Sequence, residues 1–133
     1  MENVTTWAKT VCGAIAGLCS FVYGRLDMLL IALLVCIVID YLTGICAAVY
    51  EKKLNSRVGF GGILKKVVLL LIVGLASIIG QALNIDSVRD LVIGFYIANE
   101  GISVLENAGR MNVPVCKNLT QYLEQLKSKE EPQ

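Results

Sequence analysis

The chain contains 133 residues, of which 56% are hydrophobic and 17% are charged, and its formal net charge is +1. Soluble domains carry roughly 25% charged residues, so this composition predicts a membrane protein and excludes an ordinary soluble domain. The near-neutral charge argues against a nucleic-acid partner, and the absence of histidine excludes histidine-based catalysis and histidine-ligated metal sites.

The cysteines do not change this reading. Four of the five lie in apolar stretches, where cysteine behaves as a small hydrophobic residue. Their spacing matches neither a zinc pair nor a redox Cys-x-x-Cys motif, and the polar residues lack a nucleophile–base pair. We therefore predict no metal site, no cofactor and no catalytic residue.

The first hydrophobic segment, residues 7–23, is a marginal membrane span. It contains Lys9 and has an apolar core of only about 12 residues, which suits an interfacial helix as well as an inserted one. Both interpretations stay open. Its end, CSFVYGRLD, lacks a small-x-small cleavage site, so we expect the segment to remain in the mature protein.

The next two segments are stronger. Residues 28–50 form the longest apolar run, about 35 Å as a helix, which exceeds a hydrocarbon core of about 30 Å. Residues 63–83 are nearly as apolar, and lysines at their first turn are expected to reach the lipid headgroups. Both segments are predicted to span the membrane.

The fourth segment, residues 89–109, is more polar. Tyr96, Asn99, Ser103 and Asn107 recur at three- and four-residue steps and form one polar stripe on a helix. We predict a spanning helix that turns this stripe away from lipid.

The tail, residues 110–133, is predicted to be cytoplasmic. Pro114 ends the preceding helix, after which an apolar stripe indicates a short amphipathic helix. The stripe consists of Leu119, Tyr122, Leu123 and Leu126. A helix on the membrane surface, a pair with a second copy and a solvated tail all fit. The prediction is thus a single all-α domain over residues 1–133, with three to four hydrophobic helices and a short amphipathic C-terminal helix.

Orientation follows from the loops between these segments. The region 51–66 is strongly basic, whereas residues 84–90 are not. The basic residues are Lys52, Lys53, Arg57, Lys65 and Lys66. The positive-inside rule therefore predicts a multi-pass protein with this loop and the C-terminus in the cytoplasm. The glycines at 59–62 are interpreted as a hinge before the next helix, because they lack the spacing of a phosphate-binding loop. The N-terminus is inside if residues 7–23 span the membrane and outside if they lie on its surface.

Two carboxylates lie inside predicted spans. Asp40 is 10 residues before Tyr50, and Glu100 is nine before Gly109, so both reach similar depth. A carboxylate at mid-bilayer costs about 2.5–3.5 kcal/mol, so these residues need partners. The candidate intramembrane polar set is Asp40, Thr43, Tyr96, Asn99, Glu100 and Ser103.

This polar set has three candidate uses. Its hydrogen bonds either fix packing within one chain or join chains into a homo-oligomer with a water-lined opening. The third use, a proton relay, has less support because the segments show no inverted repeat. Small residues four apart also favour close helix packing. These pairs are Gly13/Gly17, Gly44/Ala48, Ala76/Gly80 and Gly94/Ala98.

Long stretches of the chain resemble a known family. They are DYLTGICAAVYEKKLNSRVGFGGILKKVVLLLIVGLA and FYIANEGISVLENAGRMNVPVCKNLTQYLEQLK. Notable motifs are Asp40-x-x-Thr43-Gly44, Lys53-Leu54-Asn55-Ser56 and the run 95–103, which is followed by Leu105-Glu106-Asn107. Over about residues 40–127 the sequence is similar to the toxin-secretion and phage-lysis holin family.

The resemblance implies a function. Such holins are small multi-pass proteins of the bacterial (host) cytoplasmic membrane that accumulate, oligomerise and open lesions; they are not enzymes. Their partners are other copies, the lipid bilayer, an antiholin and, as cargo, an endolysin or a large toxin. Carried over by position, the family's intramembrane polar residues are Asp40, Asn99 and Glu100, and its basic cytoplasmic loop is 52–66. An antiholin that blocks hole formation and a small-solute channel remain as alternatives.

Overall fold

The computed structural model describes residues 1–130 and folds them entirely into helices and connecting turns, with no strand in that range. The five helices are α1 Glu2–Tyr23, α2 Met28–Tyr50, α3 Ser56–Leu83, α4 Ser87–Arg110 and α5 Lys117–Glu130. The predicted all-α class is confirmed. Within residues 1–130, α2 and α3 are the two helices long and apolar enough to cross a membrane. Additional spans by α1 or α4 stay predictions.

Helix α3 begins seven residues earlier than the predicted start at 63. The Asn55 side chain accepts a hydrogen bond from the Val58 amide at 2.9 Å, which caps the helix at its N-terminus. Gly59 and Gly62 lie inside the helix, where the Tyr41 ring packs directly against them. The interpretation of residues 59–62 as a hinge is therefore wrong, because the glycines provide close helix contact instead.

This early start shortens the predicted basic loop. Only residues 51–55 connect α2 to α3, so Lys52 and Lys53 lie in the loop and are exposed. Arg57, Lys65 and Lys66 belong to α3. Lys66 lies ten residues, nearly three turns, beyond the first residue of the helix, so it was wrongly placed in the first turn and in the loop.

Helix α4 is the central element. It packs between α2 and α3 on one side and α5 on another, and none of residues 92–105 is exposed. Leu33, Val73 and Ile93 are fully buried where α2, α3 and α4 meet. The outer surfaces of α2 and α3, in contrast, expose many large apolar side chains. An apolar outer surface of this kind is favourable in contact with lipid and unfavourable in contact with water.

Helix α1 has little contact with this bundle. Residues 2–21 are all exposed, and only its last turn packs, with Val22 and Tyr23 against Gly74 of α3. Helix α1 therefore adds little to the core, and both its interfacial and its spanning interpretation stay predictions.

Helix α5 folds back along α4. Leu123 packs on Gly101, Glu130 lies against Gly94, and the Lys127 ammonium is 5.9 Å from the centre of the Phe95 ring. The structure thus places α5 on its own chain, where the two glycines leave a groove on α4 that accommodates it. Sequence reasoning had not predicted this contact. Residues 131–133 of the predicted tail lie outside the described part of the chain.

Candidate intramembrane charge cluster

Lys66 lies between the two predicted intramembrane carboxylates. Its Nζ donates to Asp40 Oδ2 and to Glu100 Oε2, which joins α3 to α2 and α4. The side chains are largely buried, with 12% of Asp40, 3% of Glu100 and 17% of Lys66 exposed. Asp40 and Glu100 therefore share one cation, and we call these three residues the Lys66 cluster.

Equal depth explains why these three side chains meet. Asp40 is ten residues before the end of α2, Glu100 is ten before the end of α4, and Lys66 is ten after the start of α3. At 1.5 Å per residue, each lies about 15 Å from the same end of the bundle. Sequence reasoning found both acids but missed the cation because it placed Lys66 at a helix end. The Asn-Ser capping signal at 55–56 was the clue that α3 starts earlier.

A line of hydrogen bonds leads from the cluster to the predicted cytoplasmic end. Asn107 Nδ2 donates to Asp40 Oδ1 and to Thr43 Oγ1, both at 3.1 Å. Arg110 in turn donates to Asn107 Oδ1 at 3.3 Å and to Glu51 Oε2 at 2.7 Å. The hydrogen bond from Arg110 lowers the pKa of Glu51, which lies outside the helices. Polar contacts thus run without interruption from mid-helix to the loop.

The cluster borders a groove of about 790 Å³ between α2, α3 and α4. Helices α2 and α3 make few contacts with each other, so the groove lies between them with α4 as its floor. The predicted polar residues Tyr96, Asn99 and Ser103 all line it. The predicted stripe on α4 therefore faces this open groove.

The charges in the cluster do not balance. Two carboxylates share one ammonium, so one carboxylate either keeps a net charge or binds a proton. Both carboxylates act as hydrogen-bond acceptors, so the arrangement serves binding and helix packing. Across residues 1–130, no group of three or more acidic or cysteine side chains is arranged to hold a metal ion.

A second ionic site, not predicted from sequence, surrounds Arg89 at the start of α4. Arg89 Nε donates to the Tyr23 carbonyl at 2.7 Å, and Nη2 donates to the Arg25 carbonyl at 2.9 Å. Two further bonds, at 2.9 and 3.2 Å, reach the Asp27 carboxylate. We call this set the Arg89 clamp. It fixes the α1–α2 turn, in which Gly24 has a left-handed φ of 73°.

The clamp also favours the charged form of Asp27. The hydrogen bond from Arg89 lowers the pKa of this carboxyl, and a bond of 3.0 Å from the Leu30 amide adds to the shift. Asp27 is at the same time the N-cap of α2. One side chain thus links the start of α2 to the start of α4.

The predicted small-residue positions lie mostly inside one chain. Ala48, Ala76 and Ala98 are buried, and Gly44 lies beside Asn107. A Cβ at Gly80 would stand 2.9 Å from the Ile85 carbonyl, so the tight α3–α4 turn requires glycine there. Gly94 lies beneath α5. Within the described residues, a Cβ at Gly13 or Gly17 on α1 would have no atom within 4 Å beyond the adjacent helix backbone.

Comparison with known proteins identifies a family and several relatives of this chain. A family model described as the bacteriophage holin family matches residues 17–128. An uncharacterised 14.9 kDa protein from the nagH 3′ region of Clostridium perfringens is 38% identical over 97% of this chain and 99% of its own length. Uncharacterised proteins of Halalkalibacterium halodurans and Listeria monocytogenes are 40% and 41% identical, over 98% and 90% of this chain and 98% and 86% of their own lengths. No solved structure matches the chain.

Proposed function

The chain belongs to the bacteriophage holin family, and from that premise we propose that it assembles into holes in the cytoplasmic membrane of a bacterium. These holes would release an endolysin, or a large toxin, and so time lysis of the cell. The family is not an enzyme family, and the proposed activity is assembly rather than catalysis.

The observation that carries the proposal is the Lys66 cluster. In a single chain, Lys66 and Asn107 give the two intramembrane carboxylates partners, so the subunit can accumulate in lipid. The pairing leaves an excess carboxylate beside an open groove. Neighbouring chains can offer that carboxylate and Asn99 further hydrogen bonds, which favours crowded subunits over isolated ones.

The distribution of polarity supports the same arrangement. In the proposed topology α2, α3 and α4 cross the membrane, with residues 51–55 and the C-terminus in the cytoplasm. The exposed apolar faces of α2 and α3 would contact lipid, and the polar groove would face the water of the hole. In such an assembly the apolar surfaces would contact lipid and the polar surface would contact water.

The test is expression of the full chain together with an endolysin that stays in the cytoplasm. A holin produces abrupt lysis without any other membrane protein. Lysis that begins only with a second holin present, and is then delayed by this chain, would make it an antiholin. Loss of small solutes while the endolysin stays inside would make it a small-solute channel.

A further inference from the structure

In a lipid bilayer, the position of helix α5 would be stabilised by its contacts with α4 and opposed by its charged residues. Its contacts with Gly101 and Gly94 cover the middle of α4, since Gly94 is seven residues after the start of α4 and Gly101 is nine before its end. If α4 crosses the bilayer, α5 therefore lies at membrane depth. Its outer face would then contact lipid.

The composition of α5 conflicts with that position. Five of its 14 residues are charged: Lys117, Glu124, Lys127, Lys129 and Glu130. Charged side chains at bilayer depth are strongly unfavourable without partners. Among residues 1–130, Glu130 Oε2 is buried against α4 with no hydrogen bond. The contact is thus imperfect even on the side facing α4.

The same helix has a second suitable location. Leu119, Tyr122, Leu123 and Leu126 form one apolar stripe at helical spacing. Docking on α4 half-buries Leu123 and Leu126 but leaves 47% of Leu119 and 59% of Tyr122 exposed. On the cytoplasmic surface of a membrane, all four could enter the interface while the charges stay in water.

We propose that α5 is an autoinhibitory cover on α4, and that its release allows α4 of a second copy to pack on the surface it leaves. This inference rests on the proposed function, because it assumes assembly in a membrane. Gly94 and Gly101 let two backbones approach closely, as interfaces between helices in lipid require. Since each copy has the same surface, two copies can pair symmetrically through it.

The experiment measures contact between copies directly. The full chain is purified with its five cysteines replaced by alanine, and a reporter Leu105→Cys is introduced one turn after Gly101, so that both glycines are kept. The protein is then placed in phospholipid vesicles and oxidised. Leu123→Glu removes the contact with Gly101, and Leu119→Glu places the same change on the exposed side of α5. We expect Leu123→Glu to reach half-maximal chain-to-chain disulfide at about tenfold lower protein-to-lipid ratio, and Leu119→Glu to match the parent.

A locked variant provides an independent measurement. A Cβ at Gly101 would lie 3.8 Å from Leu123 Cγ, the position at which a cysteine carries its sulfur, so we expect cysteines at both positions to form a disulfide within one chain. We expect that oxidised variant to release no protein entrapped in the vesicles until a reducing agent is added. Release by the oxidised variant would overturn the proposal, as would equal crosslinking of Leu123→Glu and Leu119→Glu.

These outcomes also separate the inference from the proposed function. If the parent releases entrapped protein but Leu123→Glu and Leu119→Glu crosslink equally, the autoinhibitory role of α5 is wrong and the holin function stands. If crosslinking responds as expected but no variant releases a macromolecule, the proposed function is wrong and α5 still controls contact between copies.

Discussion

The Arg89 clamp and the Lys66 cluster are both ion pairs between helices, but the clamp lies near the helix ends and the cluster lies within the bundle. The two sites differ in what their cations bind. Arg89 donates to two backbone carbonyls and to acidic side chains next to a loop, so its hydrogen bonds hold the ends of helices in one arrangement. Lys66 has two carboxylate partners on other helices and borders a groove. A cation that holds backbone groups fixes a structure, whereas a cation shared by competing side chains can change partners.

Removing Lys66 should have the largest effect on stability. Lys66→Met would leave Asp40 and Glu100 without a cation, and losing one member of a buried ion pair costs about 3–5 kcal/mol. We expect unfolding in mild detergent to become easier by about 3 kcal/mol. The matched control is Lys65→Met, since Lys65 is the exposed neighbour. Equal unfolding free energies for the two variants would show that Lys66 does not stabilise the bundle.

Removing the clamp should have the next largest effect. Arg89→Leu removes charged hydrogen bonds that each contribute about 1.5–3 kcal/mol, and part of that loss is recovered when water hydrates the exposed turn. We expect a loss of about 2 kcal/mol in unfolding free energy. Arg25→Leu, which removes an exposed side chain from the same turn, should change little. A larger loss for Arg25→Leu would place the stabilising contact elsewhere.

Removing one acid from the Lys66 cluster should affect timing more than stability. Asp40→Leu leaves Lys66 paired with Glu100, so the remaining charges balance. We expect the onset of lysis to shift in cells that also make an endolysin, because the carboxylate available to neighbouring chains is gone. Cys36→Ala, in the same helix, is the control. If both variants lyse on the same schedule, Asp40 has no role in assembly.

The smallest expected effect is a dependence on pH at the clamp. Because Arg89 lowers the pKa of Asp27, the folded chain holds the charged carboxylate more strongly than the unfolded chain does. The resulting stability is complete above the ordinary aspartate value of about 3.9 and is lost as the pH falls through the lowered pKa. The melting temperature in detergent should therefore fall in this acidic range.

The variant Asp27→Asn tests the cause of that dependence. Asparagine keeps an acceptor for the cap of α2 but does not ionise in this range. The acidic fall in melting temperature should be smaller in this variant than in the parent. An unchanged fall would assign the dependence to another carboxyl group.

Sequence patterns predicted part of this structure well. Residues 28–50 were placed with their observed bounds, because an apolar run between polar turns defines a spanning helix by length. The shared depth of Asp40 and Glu100 also followed from counting along two helices. Lys66 was missed because a glycine-rich segment was interpreted as a loop, although that segment is the first part of α3 and its glycines lie against Tyr41.

The Arg89 clamp and the position of α5 depend on contacts between elements far apart in sequence. Arg89 reaches residues more than 60 positions away, and periodicity within one helix carries no information about such pairs. Helical periodicity places Gly94 and Gly101 on one side of α4, but it does not show that α5 covers them.

The unequal lengths of α2 and α3 affect the surrounding lipid. Helix α2 has 23 residues and α3 has 28, about 35 and 42 Å, against a hydrocarbon thickness of about 30 Å. Once both cross the same bilayer, α3 must tilt, extend into the headgroup layer or thicken the membrane around it. Each subunit would then carry a ring of deformed lipid, and two subunits side by side would share part of that ring. Thinner bilayers would strengthen this attraction, so membrane thickness itself would influence how readily the subunits gather.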